Sequence, residues 1–193
     1  MATFLDIKLK LSQALKDGLR VVGVEAQKYF QKQIDKQTDI KGNAFAKRTY
    51  ETRTQIGKKI LKDRNNLYDS IEVLEIDYAN MSVTVGINTP GIADYAEIHN
   101  EGGEIVVTEK MKAFFWAKYY ETEGRQSTNK RGERRNTKQN KQLSQDALFW
   151  RNLALKKVGD KITIPQRQFI GENEELKTLL TNELNNFLND IDL

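Results

Sequence analysis

The only histidine of the chain, His99, stands close in sequence to three glutamates, Glu97, Glu101 and Glu104. Imidazole and carboxylate groups together can bind zinc or iron, so this cluster is a candidate metal site. One histidine with flexible glutamates is nevertheless a poor tetrahedral ligand set. The alternative is that His99 hydrogen-bonds to nearby backbone and holds a glycine turn at 102–103. We favour this structural interpretation and predict neither a bound metal nor any other cofactor.

Other patterns of catalytic chemistry are missing from the sequence. No pair of carboxylates among the 27 acidic residues stands out as a general acid and base. The serine-nucleophile pattern Gly-x-Ser-x-Gly does not occur, and a catalytic triad would have only His99 as its base. The chain has no cysteine, which excludes disulfides, a thiol nucleophile and cysteine-bound metal. We therefore predict that the protein is not an enzyme.

The strongest candidate for contact with a ligand is a basic segment, residues 124–142. It carries seven cations against one acid, Glu133, and therefore a net charge of +6, whereas the whole chain carries +4. Because the segment has almost no apolar residue, we predict a flexible insertion. The seven cations are Arg125, Lys130, Arg131, Arg134, Arg135, Lys138 and Lys141.

Three interpretations of the basic segment remain open. Its cations could pair with nucleic-acid phosphates, with salt-dependent affinity, as in a DNA-binding module. No aromatic residue lies inside the segment, so base stacking would not contribute to such binding. The segment could instead contact an acidic surface on a partner protein, or it could be a solvated, disordered loop.

Composition bounds the kind of protein. The 193 residues suffice for one domain with a hydrophobic core, and we predict a single domain over 1–193. Hydrophobic residues make up 38% and charged residues 30%, with a mean hydropathy of −0.67. No apolar run approaches the roughly 20 residues that cross a bilayer, so we expect no membrane partner. The first residues also lack the pattern of a secretory signal.

Helical periodicity marks both ends of the chain. Apolar residues recur at steps of three and four from Phe4 to Ile34, which predicts a long amphipathic helix over 1–36. Gly18 and Gly23 weaken this helix, each by roughly 1 kcal/mol relative to alanine. The spacing of apolar residues up to Ile191 predicts a final helix over 174–191.

The middle of the chain alternates between strand and helix patterns. Segments 70–78 and 81–87 predict a β-hairpin, 104–108 a third strand, and 160–165 an extended segment. Thr108 is a candidate N-cap for a following helix. Further helices are predicted over 54–61, 93–100, 109–121 and 144–155. The predicted fold class is α+β, with a long N-terminal helix, a small antiparallel sheet with packed helices, and a C-terminal helix. No internal repeat is apparent.

Four patches stand in order along the chain. They read Ile-Leu-Lys-Asp-Arg-Asn-Asn-Leu-Tyr-Asp-Ser-Ile over 60–71, Val-Gly-Ile-Asn over 85–88, Tyr-Ala-Glu-Ile-His-Asn-Glu-Gly-Gly over 95–103, and Ile-Pro-Gln-Arg-Gln-Phe-Ile-Gly over 164–171. This ordered set resembles the phage virion morphogenesis family, also called the tail-completion family, of Mu-like and related tailed phages. Members typically read Leu-x-x-Ser-Ile, Val-Gly-x-Asn, Tyr-Ala-x-Ile-His-x-x-Gly-Gly and Ile-Pro-x-Arg-x-Phe-Ile/Leu-Gly.

The chain departs from the family pattern at two positions. Asn66 stands where members usually have a glycine, and asparagine tolerates the left-handed conformation that such a turn needs. Gln168 stands where they often have proline. The resemblance covers most of the chain from about residue 42 onward, with the long helix in its expected place before it.

The resemblance implies a structural virion protein of a tailed phage. Such a protein would be a tail-completion or neck component, a head–tail connector that forms a ring at the head–tail junction or the tail top. The ring would hold six copies, or alternatively twelve, and would contact neighbouring neck, tail-terminator or tail-tube proteins. Packaged DNA is a further candidate partner through the basic segment, and assembly would take place in the host cytoplasm.

The resemblance also selects residues with a structural role. Tyr95 and His99, one helical turn apart, would face the same side and fix the glycine turn. Arg167 would act as a clamp, because a guanidinium can bridge backbone carbonyls or a carboxylate with five donors. The full set of motif residues is Tyr95, His99, Gly102, Gly103, Pro165, Arg167, Phe169 and Gly171.

Overall fold

The structure is a computed structural model, and it describes residues 4–189, with side chains from residue 8 onward. Contacts divide the chain into two compact units. Unit 1 comprises Met1–Ala46, Lys59–Glu101 and Gln166–Leu193, and unit 2 comprises Lys47–Lys58 and Gly102–Pro165. Whether the chain behaves as a single domain stays a prediction.

Six helices and four strands form within the described residues, and they confirm the α+β class. The helices are α1 Phe4–Lys36, α2 Asn66–Asp69, α3 Ile92–Glu101, α4 Glu109–Gly124, α5 Lys138–Ala154 and α6 Glu174–Asn189. The strands are β1 Glu72–Asp77, β2 Ser82–Gly86, β3 Gly103–Val106 and β4 Lys161–Ile164. The predicted antiparallel sheet is present as two separate two-stranded sheets, β1 with β2 and β3 with β4.

The core of unit 1 lies along the long helix predicted from the sequence. Tyr29, Phe30 and Ile34 of α1 are buried there together with Ile71 and Phe169, of which Ile34, Ile71 and Phe169 have no exposed surface. Full burial of such a side chain contributes about 1.5–3 kcal/mol. The apolar side chains of the predicted first helix that precede residue 8 lie outside the described residues, as does residue 191 of the predicted final helix.

The two glycines of α1 have a packing reason. A Cβ at Gly18 would lie 2.8 Å from Leu184 of α6, and a Cβ at Gly23 would lie 3.0 Å from Val83 and 3.1 Å from Val73. These positions therefore let α6 and the β1–β2 hairpin approach the helix backbone closely. The helix propensity lost at each glycine is the cost of that approach.

Strand β1 contains an irregularity that the sequence pattern hides. Val73 pairs with Val85 and Ile76 with Val83, so Leu74 is an extra residue without a partner on β2. Such a β-bulge shifts the alternation by one residue. Val73 and Ile76 therefore face the same side although they are three residues apart, and Leu74 is exposed.

Unit 2 is built on a pair of packed helices, α4 and α5, and on the β3–β4 sheet. Thr108 caps α4 as predicted, its hydroxyl accepting from the Met111 backbone N–H at 3.2 Å. Thr137 caps α5 in the same way, accepting from the Asn140 N–H at 3.1 Å. Aromatic rings fill the space between the helices, with Phe114 and Phe115 against Trp150.

A buried carboxylate holds segment 47–58 onto α5 within unit 2. Asp146 accepts from the Tyr50 hydroxyl at 2.6 Å, from the Arg53 backbone N–H at 2.9 Å and from the Gln142 side chain at 3.0 Å. Burial, followed by the neighbouring Asp146, raises the pKa of Tyr50. The Tyr50 ring also stacks on Phe149, with centroids 4.7 Å apart.

Three local predictions need correction. Segment 54–61 forms turns and no helix, and Gly57 there has a left-handed φ of 75°. Helix α5 begins at Lys138, six residues before the predicted start at 144, because Thr137 caps it there. The first turn of the helix is polar and therefore resembles a loop in the sequence. The left-handed residue before Leu67 is Asn65, with φ 60°, whereas Asn66 already belongs to α2. Among residues 4–189, no helix is long and apolar enough to cross a membrane.

Candidate functional site

Tyr95 and His99 meet on α3, as their spacing predicts. Their ring centroids lie 4.5 Å apart with the planes at 67°, an edge-to-face contact. Ala96, between them in sequence, is buried in the core of unit 1 and anchors α3 there. The contact fixes the orientation of the imidazole ring.

Arg167 holds His99 from the other direction. Its guanidinium lies 3.0 Å from Nδ1 of His99, and its backbone N–H donates to the His99 carbonyl at 2.7 Å. A guanidinium only donates, so Nδ1 must accept, and the ring proton of neutral His99 belongs on Nε2. Burial, followed by the charge of Arg167, lowers the pKa of His99 to about 4. His99 is therefore neutral at physiological pH.

Arg167 is itself buried, with 5% of its surface exposed. Its Nε donates to the carbonyl of Ala46 at 2.8 Å, so the side chain links α3 to the chain segment that follows α1. Both partners lie more than 60 residues away in sequence. The role of Arg167 as a structural clamp stays a prediction, but these are the contacts on which it rests.

The metal hypothesis finds no supporting geometry. Nδ1 of His99 faces a cation, and Glu97 and Glu101 are exposed to solvent. The described part of the chain contains no group of three or more histidine or acidic side chains placed to hold a metal ion. The Glu104 carboxylate pairs instead with Lys161 of the neighbouring strand.

Asn100 is the residue of this site that sequence reasoning missed. Its Oδ1 accepts from the backbone N–H groups of Phe169 at 3.1 Å and Ile170 at 3.0 Å. The side chain thereby fixes the fourth sequence patch against α3. Asn100 lies inside the third patch, so its position was the only sequence signal for this role.

The remaining motif residues fall on both units. In unit 1, Phe169 fills the core, and a Cβ at Gly171 would lie 2.8 Å from Ile40, so only glycine fits there without displacement. In unit 2, Gly103 opens β3 opposite Ile164 of β4, next to Pro165. Gly102 has a left-handed φ of 73°, which favours glycine. That Tyr95 and His99 fix the turn at 102–103 stays a prediction.

The seven cations of the basic segment are all exposed and lie in unit 2. Arg125 follows α4, four cations lie in the loop between the helices, and Lys138 and Lys141 lie on the first turns of α5. Arg125 pairs with Glu121 and Arg134 with Glu123. The other five form no ion pair within residues 8–189; they are Lys130, Arg131, Arg135, Lys138 and Lys141.

The loop between α4 and α5 has defined hydrogen bonds. The Asn129 carboxamide oxygen accepts from the N–H groups of Arg131 at 2.9 Å and Glu133 at 3.0 Å. At the base of the loop, buried Asn140 bonds to the two chain segments that enter and leave it. Its Oδ1 accepts from the Ser127 N–H at 3.0 Å, and its Nδ2 donates to the carbonyls of Ser127 and Arg135. The predicted flexibility of 124–142 stays a prediction, but this part of it is a closed turn followed by helix.

Comparisons with known proteins give one result. A model of the phage virion morphogenesis family matches residues 3–189 of the chain. No curated protein and no solved structure matches the chain. The matched range contains all four sequence patches and every element of the two units described above.

Proposed function

This chain belongs to the phage virion morphogenesis family, and from that premise we propose that it is a tail-completion or neck protein of a tailed phage. Family membership across nearly the whole chain is the observation that carries the proposal. It supports a structural role in building the phage particle. The finer role proposed is to close the tail end and to join it to the head as a ring of copies, six in number or else twelve.

The chemistry of the motif residues favours structure over catalysis. His99 and Arg167 bind each other and Asn100 Oδ1 binds backbone N–H groups, and the pKa of His99, about 4, lies far from the neutral range that suits acid–base catalysis. A groove of about 240 Å³ beside α1 is lined by Leu11, Leu15, Tyr78 and Met81 together with Ser12 and two lysines, and it contains no acid. We therefore propose that the protein is not an enzyme.

Helix α4 supplies a surface suited to ring contacts. It carries apolar and aromatic side chains on several sides, yet only Phe115 is buried. Phe114 is 50% exposed and Tyr120 65% exposed. Exposed aromatic side chains of this kind can mark an interaction surface, and in a virion protein the neighbouring copy or a neck, tail-terminator or tail-tube protein would cover them. The proposed location is therefore the head–tail junction or tail top.

The test combines assembly in solution with assembly in the particle. Mass photometry and negative-stain images of the purified chain, alone and with the neighbouring tail proteins, should show closed rings. Infection with a phage that lacks the gene should yield heads and tails that do not join. A strict monomer under all these conditions, together with normal particles from the deletion phage, would refute the proposal.

A matched pair of variants tests the role of α4. Tyr120→Ser should reduce ring formation, since it removes from the proposed contact an aromatic side chain that is 65% exposed. Ile56→Ser removes an apolar side chain of similar exposure, 54%, from a turn of the same unit. Thermal unfolding of both variants controls for loss of fold. Equal assembly of the two variants would exclude α4 as the contact.

DNA binding through the basic segment is the second candidate, and the five unpaired cations favour it. Because α5 begins at Lys138, deleting the whole segment would damage a helix. A sharper variant replaces Lys130, Arg131 and Arg135 with glutamine. Loss of a salt-dependent gel shift in this variant would support DNA binding, and an unchanged shift would exclude it.

A further inference from the structure

Two turns of this chain, one in each unit, have the same backbone structure. In the first, the Asp39 N–H donates to the Asn43 carbonyl at 2.8 Å and the Gly42 N–H donates to the Asp39 carbonyl at 3.0 Å. In the second, Asn129 donates to Glu133 at 2.8 Å and Gly132 donates to Asn129 at 3.0 Å. We call them the first turn, residues 37–45, and the second turn, residues 127–135.

The side chains of the two turns correspond as well, at a constant offset of 90 residues. Asp39 Oδ1 accepts from the N–H groups two and four residues later, at 2.9 and 2.8 Å, as Asn129 Oδ1 does at 2.9 and 3.0 Å. Gly42 and Gly132 have φ values of 83° and 79°. This likeness lies in the backbone geometry and not in the sequence. Only two residue types are identical, threonine at 38 and 128 and glycine at 42 and 132.

The two turns differ in what covers them. Ile40 of the first turn is 5% exposed, and its N–H donates to the Gln168 carbonyl at 2.9 Å. The Asn173 side chain donates to the Ile40 carbonyl, so a segment of polypeptide lies on this turn. The corresponding residue of the second turn, Lys130, is exposed and forms no hydrogen bond within residues 8–189. The second turn thus has the same backbone shape, but its Lys130 is left exposed within the described residues.

The first turn has isoleucine at this position and the second has lysine, so the two turns fit surfaces of different chemistry. An apolar side chain suits the apolar segment around Phe169, whereas Lys130 and its neighbours require carboxylates or phosphates. The turn is also held in shape in advance, because buried Asn140 bonds both of its strands. A preformed site loses less conformational entropy when it binds.

A complementary surface exists on the same chain. Asp94, Glu97 and Glu101 lie at positions i, i+3 and i+7 of α3, which places them on one face of the helix. All three are exposed, and none forms an ion pair within the described residues. We call these three residues the acidic face.

The likeness of the two turns favours a protein partner over nucleic acid. Glu133 of the second turn binds Asn129, and Glu121 and Glu123 of α4 pair with Arg125 and Arg134, so five exposed cations remain for a partner. Carboxylates on a protein surface can match these cations. The first turn, which has the same shape, is covered by polypeptide.

We propose that the second turn and the start of α5 dock on the acidic face of a second copy of this chain. The contact joins unlike surfaces, so it is heterologous and can close into a ring. The inference rests on the proposed ring and names the residues of one contact in it. Its five exposed cations and three exposed acids make the contact sensitive to salt.

Charge exchange between the two surfaces tests the contact. One variant carries Lys130→Glu, Arg131→Glu and Lys138→Glu; a second carries Asp94→Lys, Glu97→Lys and Glu101→Lys. Each alone should weaken self-association by about tenfold or more, because like charges then face each other. An equimolar mixture of the two should recover assembly within a few fold, since each reversed surface finds an opposite one. The measurement is sedimentation velocity or mass photometry at low and high salt.

A control variant has the same change of net charge as the first variant but elsewhere, with Lys10→Glu, Lys32→Glu and Lys157→Glu, all at exposed positions outside α4. It should assemble like the unmodified chain, and circular dichroism should show that all variants fold. Rings that form equally well in every variant would overturn the docking contact and leave the proposed function intact. Loss of duplex DNA binding without loss of self-association would overturn it in favour of nucleic acid. An unmodified chain that never self-associates would overturn both.

Discussion

Arg167 and His99 meet through two separate contacts, one between backbone groups at 2.7 Å and one between the guanidinium and Nδ1 at 3.0 Å. The pair ties the fourth sequence patch to α3 at the centre of unit 1. A protonated imidazole could not accept from the guanidinium, so the geometry requires a neutral ring. Several measurable consequences depend on this relationship and on three other contacts.

The free energy of unfolding should fall as the pH is lowered from about 6.5 to about 4. His99 has a pKa of about 4 in the folded chain and an ordinary value of 6.5 when unfolded, so the unfolded state binds more protons in this window. The loss should be about 2–3 kcal/mol. Urea denaturation across this pH range measures it.

His99 is the only histidine, which makes its titration easy to isolate. The imidazole Cε1 proton should give one NMR resonance that does not titrate between pH 5 and 8. The variant His99→Gln should lose most of the pH dependence above pH 5. An ordinary titration near pH 6.5, or an unchanged slope in the variant, would contradict the prediction.

Asn100→Ala should lower the free energy of unfolding by about 1–3 kcal/mol, because the N–H groups of Phe169 and Ile170 lose their acceptor. Chemical denaturation monitored by circular dichroism provides the value. Asn185→Ala on the exposed side of α6 is a matched control and should change it little. Equal effects of the two substitutions would mean that the two hydrogen bonds contribute nothing.

Gly23→Ala should destabilise the chain although alanine is the better helix former. The new Cβ would lie 3.0 and 3.1 Å from Val83 and Val73, whose branched side chains have few alternative rotamers. Gly124→Ala, at the end of α4 with nothing within 4 Å, should be neutral or stabilising by up to about 1 kcal/mol. The melting temperature should therefore fall for Gly23→Ala and stay the same or rise for Gly124→Ala, and a rise for Gly23→Ala would refute the packing argument.

Asp146→Ala should destabilise unit 2 by about 2–3 kcal/mol, because Tyr50 and the Arg53 N–H lose a buried partner. Segment 47–58 should then become more sensitive to limited proteolysis. Asp69→Ala, at an exposed aspartate, serves as the control. Unchanged proteolysis at 47–58 would show that Asp146 does not hold the segment.

Local signals predicted the elements better than their contacts. The long helix, the hairpin turn and the Thr108 cap follow from apolar spacing and from a hydroxyl beside a helix start, and all were confirmed. The start of α5 was predicted too late in the chain because its first turn is as polar as the loop before it. The bulge at Leu74 was not predicted, because a strand with one extra residue has nearly the same alternation of apolar and polar residues as a regular strand.

The site residues show the same limit. Helical spacing predicted that Tyr95 and His99 would meet. It could not predict that Arg167 would donate to Ala46, 121 residues away, since the carbonyl of an alanine carries no sequence signal. The likeness of the two turns was hidden for a related reason. Their shape depends on one Asx side chain and one left-handed glycine, while the other residues vary freely.

The chain passes between the two units four times, at residues 46, 58, 101 and 165. Helix α1 packs on α6, the last of the described elements in chain order. On the ribosome, α1 therefore emerges long before α6, and unit 1 cannot complete its folding until α6 has been synthesised. Neither unit can be produced by truncating the gene, and C-terminal truncation before α6 should yield a chain that depends on chaperones or aggregates.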